Sequence, residues 1–88
     1  MRVHYSKRFE NRFRRLPHAH KKAAVEVIDA FLDNPHASSL GNHALRGAMA
    51  GTQSIEVDND LRIIFTVKGD YDEVTFLNIG THIEVYRK

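Results

Sequence analysis

Near the C-terminus His82, Glu84 and Tyr86 recur at every second position, and Arg62 stands among the apolar residues of Leu61–Val67. In a strand, successive side chains point to opposite faces, so His82, Glu84 and Tyr86 would share one side and Ile83 and Val85 the other. Arg62 would point away from the Leu61, Ile63 and Phe65 side of its own strand. A histidine, an arginine and a tyrosine gathered on one sheet face form the set that RNA cleavage by the ribose 2′-hydroxyl requires. One group removes the hydroxyl proton, one neutralises the charge on the phosphorane, and one protonates the leaving 5′-oxygen. Histidine titrates near working pH and suits either proton transfer. The planar fork of arginine donates to two phosphate oxygens at once. Tyrosine donates a hydrogen bond or stacks on a base. His43, in a Gly-rich connection of the kind where functional residues collect, is a candidate second proton-transfer group. Each residue also has an ordinary alternative. An exposed histidine is more often inert, a terminal tyrosine packs a sheet edge, and a strand arginine makes a salt bridge.

Other chemistries find little to work with. The chain has no cysteine, which removes disulfides and thiolate metal sites. His18 and His20 form an H-x-H, but residues two apart on a helix do not share a face, so no metal site is expected. His4 reads as structural, and His36 follows Pro35 in a loop. There is no P-loop, no G-x-G-x-x-G, no Ser or Cys nucleophile signature and no well-spaced carboxylate pair. Neither a membrane span nor a signal peptide is expected, since the longest apolar run is short and MRVHYSKRFE lacks an apolar stretch. A cytoplasmic location is the expectation.

The net charge of +2 hides a strong asymmetry. Residues 1–22 hold eight Lys/Arg against Glu10 alone, a balance of +7, and the remainder sums to −5. Lys7, Arg8, Arg12, Arg15, Lys21 and Lys22, with Arg46 further on, are therefore candidates for gripping a polyanion such as RNA. A solvated helix face is the alternative.

The elements that would position these groups can be read from periodicity. Eighty-eight residues suffice for one domain, taken as residues 1–88. Arg2–Tyr5 alternates as a first strand. Ser6 can cap a helix carrying Phe9, Phe13 and Leu16 at i, i+4 and i+7. Pro17 ends that helix and opens a second, whose stripe is Ala24, Val27, Ile28, Phe31 and Leu32, stopped by Asn34-Pro35. Residues 35–51 read as a long connection. Strands follow at Gln53–Val57, Leu61–Val67 and Val74–Ile79. Gly80 is expected to break the run before a last strand at His82–Tyr86. The predicted class is α+β, β-α-α-β-β-β(-β), with a helical hairpin on one face of a largely antiparallel four- to five-stranded sheet. The other face is then free to act.

Three segments resemble the RelE/ParE superfamily of bacterial toxins, nearest its YafQ and RelE types. His43-Ala44-Leu45-Arg46-Gly47, then Gly51, is similar to an H-x-L-x-G…G stretch. Asp60-Leu61-Arg62-Ile63-Ile64-Phe65 is similar to a strand in which arginine precedes three apolar or aromatic residues. Gly80-Thr81-His82-Ile83-Glu84-Val85-Tyr86 looks like the G-T-H-x-x-x-aromatic ending. The likeness spans the chain in element order, and its specific motifs fall within residues 40–87. It implies a type II toxin that enters the ribosomal A site and cuts messenger RNA without a metal or small-molecule cofactor, held inactive by a cognate antitoxin. It also implies roles: His43 and Asp60 in proton transfer and positioning, Arg62 on the phosphate, His82 as the main acid/base and Tyr86 as the terminal aromatic. The sequence departs from the YafQ pattern at Glu56, Leu61 and Asn78, where that type has a histidine, a tryptophan and an arginine. The same fold could instead serve a ParE-type inhibitor of DNA gyrase, or an inactive module that only binds an antitoxin.

Overall fold

A computed structural model describes residues 1–86. In chain order it contains β1 (Arg2–Tyr5), α1 (Lys7–Arg15), α2 (His18–Asp33), β2 (His43–Ala44), β3 (Gln53–Glu56), β4 (Leu61–Lys68), β5 (Glu73–Thr81) and α3 (His82–Tyr86). The strands form one sheet in the order β1-β5-β4-β3-β2. Every neighbouring pair is antiparallel except β1 with β5. The α+β class and the helical hairpin against a sheet are as predicted from periodicity. None of the described helices is long and apolar enough to cross a membrane.

Ser6 turns the first strand into the first helix. Its hydroxyl oxygen accepts the Phe9 N–H at 3.0 Å, capping α1, and the same hydroxyl donates to the Leu77 carbonyl at 2.8 Å. Leu77 is the extra residue of a β-bulge, because Ile64 pairs with Asn78 while Phe65 pairs with Phe76. α1 therefore leaves the sheet where β5 bends, and runs beside the second half of that strand.

The apolar stripes of α1 and α2 bury against one face of the sheet. Phe9, Ala24, Ile28 and Phe31 meet Ile55, Ile63, Phe65, Val74, Phe76 and Ile79. Phe31 lies with its ring centroid 4.9 Å from that of Phe65 and 5.6 Å from that of Phe76, both edge-on, the arrangement aromatic quadrupoles prefer. Leu32, read as part of the α2 stripe, is 39% exposed and lies off it.

Three expectations are overturned. The connection over residues 35–51 contains β2 and two 3₁₀ turns, Ser38–Leu40 and Gly47–Met49. Gly80 does not break the strand, since β5 pairs with β4 through Thr81. The segment His82–Tyr86 is a helix, not a strand, and it packs on the face opposite the hairpin, so that face is only partly bare. The cause of the last change is local. Thr81 and Glu84 form a capping box: the Thr81 hydroxyl accepts the Glu84 N–H at 3.2 Å, and a Glu84 carboxylate oxygen accepts the Thr81 N–H at 2.8 Å. Gly80 makes room for it. A β-carbon there would lie 2.9 Å from Glu84 Oε1.

Candidate functional site

Pairing register decides which side chains share the face opposite the core. Ile55, Ile63 and Ile79 form a cross-strand row in the core, so the flanking rows face the other way. One flanking row is Ser54, Ile64 and Asn78, extended by His43 on β2, and the other is Glu56, Arg62 and Gly80. α3 crosses this surface with Val85 buried beneath it. The i, i+4 spacing puts His82 and Tyr86 on one flank of α3, and Glu84, about 200° round from His82, on the other.

A string of neighbouring residues results, joined by side-chain contacts except at His43, whose link is its register opposite Ser54. The Tyr86 hydroxyl donates to Ser54 Oγ at 2.9 Å, and Ser54 is fully buried. The ring of His82 stands edge-on to Tyr86, with centroids 4.4 Å apart at 72°. The His82 N–H donates to Asp60 Oδ1 at 3.3 Å, at the entry to α3. On the other side, His43 sits directly across from Ser54 in the β2–β3 ladder. Its Nδ1 lies 2.8 Å from the Gly41 carbonyl, which can only accept. The neutral ring therefore carries its proton on Nδ1 and leaves Nε2 as a bare acceptor. His43, Asp60, His82 and Tyr86 are thus brought into one string, linked by a serine.

Arg62 is on the same face but is engaged elsewhere. Its Nη1 donates to the carbonyls of Asp58 at 2.7 Å and Leu61 at 3.2 Å, and its Nη2 to that of Asn59 at 3.3 Å. Glu56 lies 3.8 Å from Nη2. The arginine read as a phosphate ligand first ties down the β3–β4 turn. That turn is further organised by Asp58, whose carboxylate accepts the N–H groups of Leu61 and Asp60 at 2.9 and 3.1 Å. These bonds, the first to Leu61, hold its carboxyl below the ordinary range, with His20 and Arg62 adding to them. Glu84 is also held low, chiefly by the Thr81 N–H, with Arg12 contributing.

The basic residues divide. Arg8 and Arg12 line a groove of about 470 Å³ on the Glu84 flank of α3. Arg12 and Arg15 also line a cavity of about 740 Å³ between the hairpin and the β3–β4 turn, facing Asp58, Asp60 and Glu84. Lys7, Lys22 and Arg46 are exposed, and Lys21 is half-buried. Among the described residues no cluster of three or more His, Asp or Glu side chains is arranged to hold a metal ion.

Two features of the site are absent from the period-two reading. Ser54, an outward position on β3 with no charge to mark it, anchors Tyr86. Glu84 was grouped with His82 and Tyr86, yet it caps the helix. The Thr81-His82-Ile83-Glu84 order is itself a capping-box signature, and it is the signal that identifies α3.

Nearly the whole chain superposes on solved toxins. YafQ from Escherichia coli strain BL21(DE3) matches with a TM-score of 0.81 at 18% identity, covering 98% of this chain and 99% of that one. The chain has the RelE/ParE-type toxin fold. An archaeal RelE–RelB complex from Pyrococcus horikoshii OT3 matches at 0.73 with 21% identity, over 99% and 97% of the two chains. The RelBE2 toxin–antitoxin complex from Mycobacterium tuberculosis matches at 0.75 with 20% identity, over 92% and 96%. No family model and no curated protein matches the sequence. On a RelE-type sheet, the His43–Ser54–Tyr86–His82 string occupies the face away from the helical hairpin.

Proposed function

We propose that this chain is the toxin of a toxin–antitoxin pair, a cytoplasmic endoribonuclease that cuts messenger RNA on the ribosome. The observation that carries the reading is the string of His43, Ser54, Tyr86, His82 and Asp60 on the face the hairpin leaves open. Two imidazoles on one surface can take a proton from the 2′-hydroxyl and return one to the leaving 5′-oxygen. His43, with Nε2 unprotonated, suits the first role, and His82 the second when protonated. Attack of the 2′-oxygen on phosphorus expels the 5′-oxygen, giving a 2′,3′-cyclic phosphate and a 5′-hydroxyl. No metal is needed to balance that step. Tyr86 donates to Ser54, so it presents its ring and its oxygen lone pairs, and its part is to orient or stack on the substrate. Asp60 holds the start of α3 and thereby the backbone of His82. Three hydrogen bonds of Arg62 go to the turn, and its remaining donors and its charge act on the phosphate.

Lys7, Arg8, Arg12, Arg15, Lys21, Lys22 and Arg46 supply the attraction for ribosomal and messenger RNA, which should weaken steeply with salt. The likeness to toxins solved with their antitoxins supports an antitoxin as the protein partner. Cleavage mapping on messenger RNA, with and without ribosomes, tests the reading. Cuts ending in cyclic phosphate that need ribosomes and vanish in His82→Ala are expected. Cuts that survive in both His82→Ala and Arg62→Ala would show the site to be misassigned. The engagement of Arg62 by the turn favours one second reading, a binding module that no longer cuts RNA. Growth unaffected by expression of the chain alone would select it.

A further inference from the structure

The flank of α3 away from His82 and Tyr86 has its own opening, the groove of about 470 Å³ lined by Arg8 and Arg12. Ile64, Leu77 and Val85 give it apolar walls, and Asn78 and Glu84 give it polar groups. Asn78 is only 8% exposed. Its Oδ1 accepts the Ile79 N–H at 2.9 Å, which fixes the orientation of the amide and turns Nδ2 away from that bond. Among the described residues Nδ2 has no hydrogen-bond partner, yet no side-chain nitrogen or oxygen sealed from solvent lacks one. Nδ2 therefore meets solvent, and the groove is the opening that Asn78 lines. A nearly buried amide that shows its two N–H donors to a slot with apolar walls is built to receive acceptors.

We infer that this groove seats one base of the RNA strand and that Asn78 selects guanine over adenine there. The inference rests on the RNA-cleaving function proposed above. Guanine carries two neighbouring acceptors, O6 and N7, whereas adenine sets an amino donor beside its N7. The amino group of adenine would oppose the Asn78 donors and leave them unpaired. The complement extends to Glu84. Its carboxylate only accepts, and guanine places N1–H and its 2-amino group, both donors, on the edge next to O6. The apolar walls take the faces of the base, and Arg8 and Arg12 meet the phosphates beside it. The Ser54–Ile64–Asn78 row spans three adjacent strands, so Asn78 lies about 10 Å from the serine that anchors Tyr86. A base held here fixes the register of the strand relative to the cleaving groups.

The test begins with the wild-type protein and the side-chain amide signal of Asn78 in ¹⁵N-resolved NMR spectra. Guanosine 5′-monophosphate should shift that signal at a concentration about ten-fold below the one adenosine 5′-monophosphate needs. Equal responses, or none, would overturn the inference, and this measurement does not depend on any variant folding. In parallel, cleavage sites on one message are mapped for wild type and for Asn78→Asp, which replaces donors with acceptors. Guanine enrichment at a fixed offset from the cut should disappear in the variant. Wild-type cutting with no base preference and a silent amide removes the groove but leaves the nuclease. An amide that responds to guanosine 5′-monophosphate in a protein that cuts nothing removes the nuclease and leaves the groove.

Discussion

The two faces of the sheet are built by opposite rules. Under the hairpin, Ile55, Ile63 and Ile79 lie fully buried side by side across three strands, sealed by Phe9, Ile28 and Phe31. One row over, Ser54, Ile64 and Asn78 point the other way and are covered by a helix of five residues. That helix is held by a capping box, the Asp60 contact and one phenol–serine bond, with Val85 as its buried apolar anchor. The first face gains its stability from area, which is non-directional and tolerant of small shifts. The second is held by directional bonds, each worth about 0.5–1.5 kcal/mol, which define positions more than they add stability. Stability and chemistry should therefore be separable by mutation.

The strongest break of that comparison lies on the core face. Phe31→Ala, at a fully buried ring, should cost about 3–5 kcal/mol, a large part of the stability of so small a domain. Denaturant unfolding should show the midpoint collapse. On the other face, His82→Ala should lower RNA cleavage by about 10²–10⁴-fold while the unfolding free energy stays within about 0.5 kcal/mol of wild type. A variant that lost both equally would erase the distinction between the faces.

Ser54 sharpens the comparison further. Ser54→Ala and Tyr86→Phe each remove the same hydrogen bond, so their effects on cleavage should not add, with a coupling of about 1 kcal/mol in a double-mutant cycle. Additive losses would mean that the bond does not position the tyrosine. The smallest effect concerns acid. Glu84 titrates below its ordinary value of 4.5 in the folded chain because it accepts the Thr81 N–H. Its charged form therefore supports α3 above that pH, and the support is lost as pH falls below 4.5 through the lowered value. Helical chemical shifts of residues 82–86 should fade there, and Glu84→Gln should flatten that dependence.

Much of the first face was legible in the sequence and less of the second. The i, i+3, i+4 stripe from Ala24 to Phe31 and the alternation from Leu61 to Val67 report burial directly, because burial is what produces the period. His82 to Tyr86 is too short to separate two periods. A spacing of four keeps residues together both in a strand and on a helix, so His82 and Tyr86 stayed paired although the element was misread. Glu84, two positions along, is the residue on which the readings differ. The capture of Arg62 was illegible because it depends on where three turn carbonyls point, which no side-chain pattern records. The parallel partner of β1 was hidden for a different reason. It lies almost the whole chain away.

That distant pairing sets a schedule for the molecule. The side chain of His4 reaches Glu73, 69 positions further on, and among the described residues β1 has no neighbour in the sheet other than β5. During synthesis β1 must wait, unpaired, until β5 has left the ribosomal tunnel. His43 and Ser54 are made well before α3, which supplies His82 and Tyr86. A chain without its last elements therefore cannot assemble the His43–Ser54–Tyr86–His82 string, and closure of the sheet over so long a loop makes folding slow compared with a helical bundle of the same size.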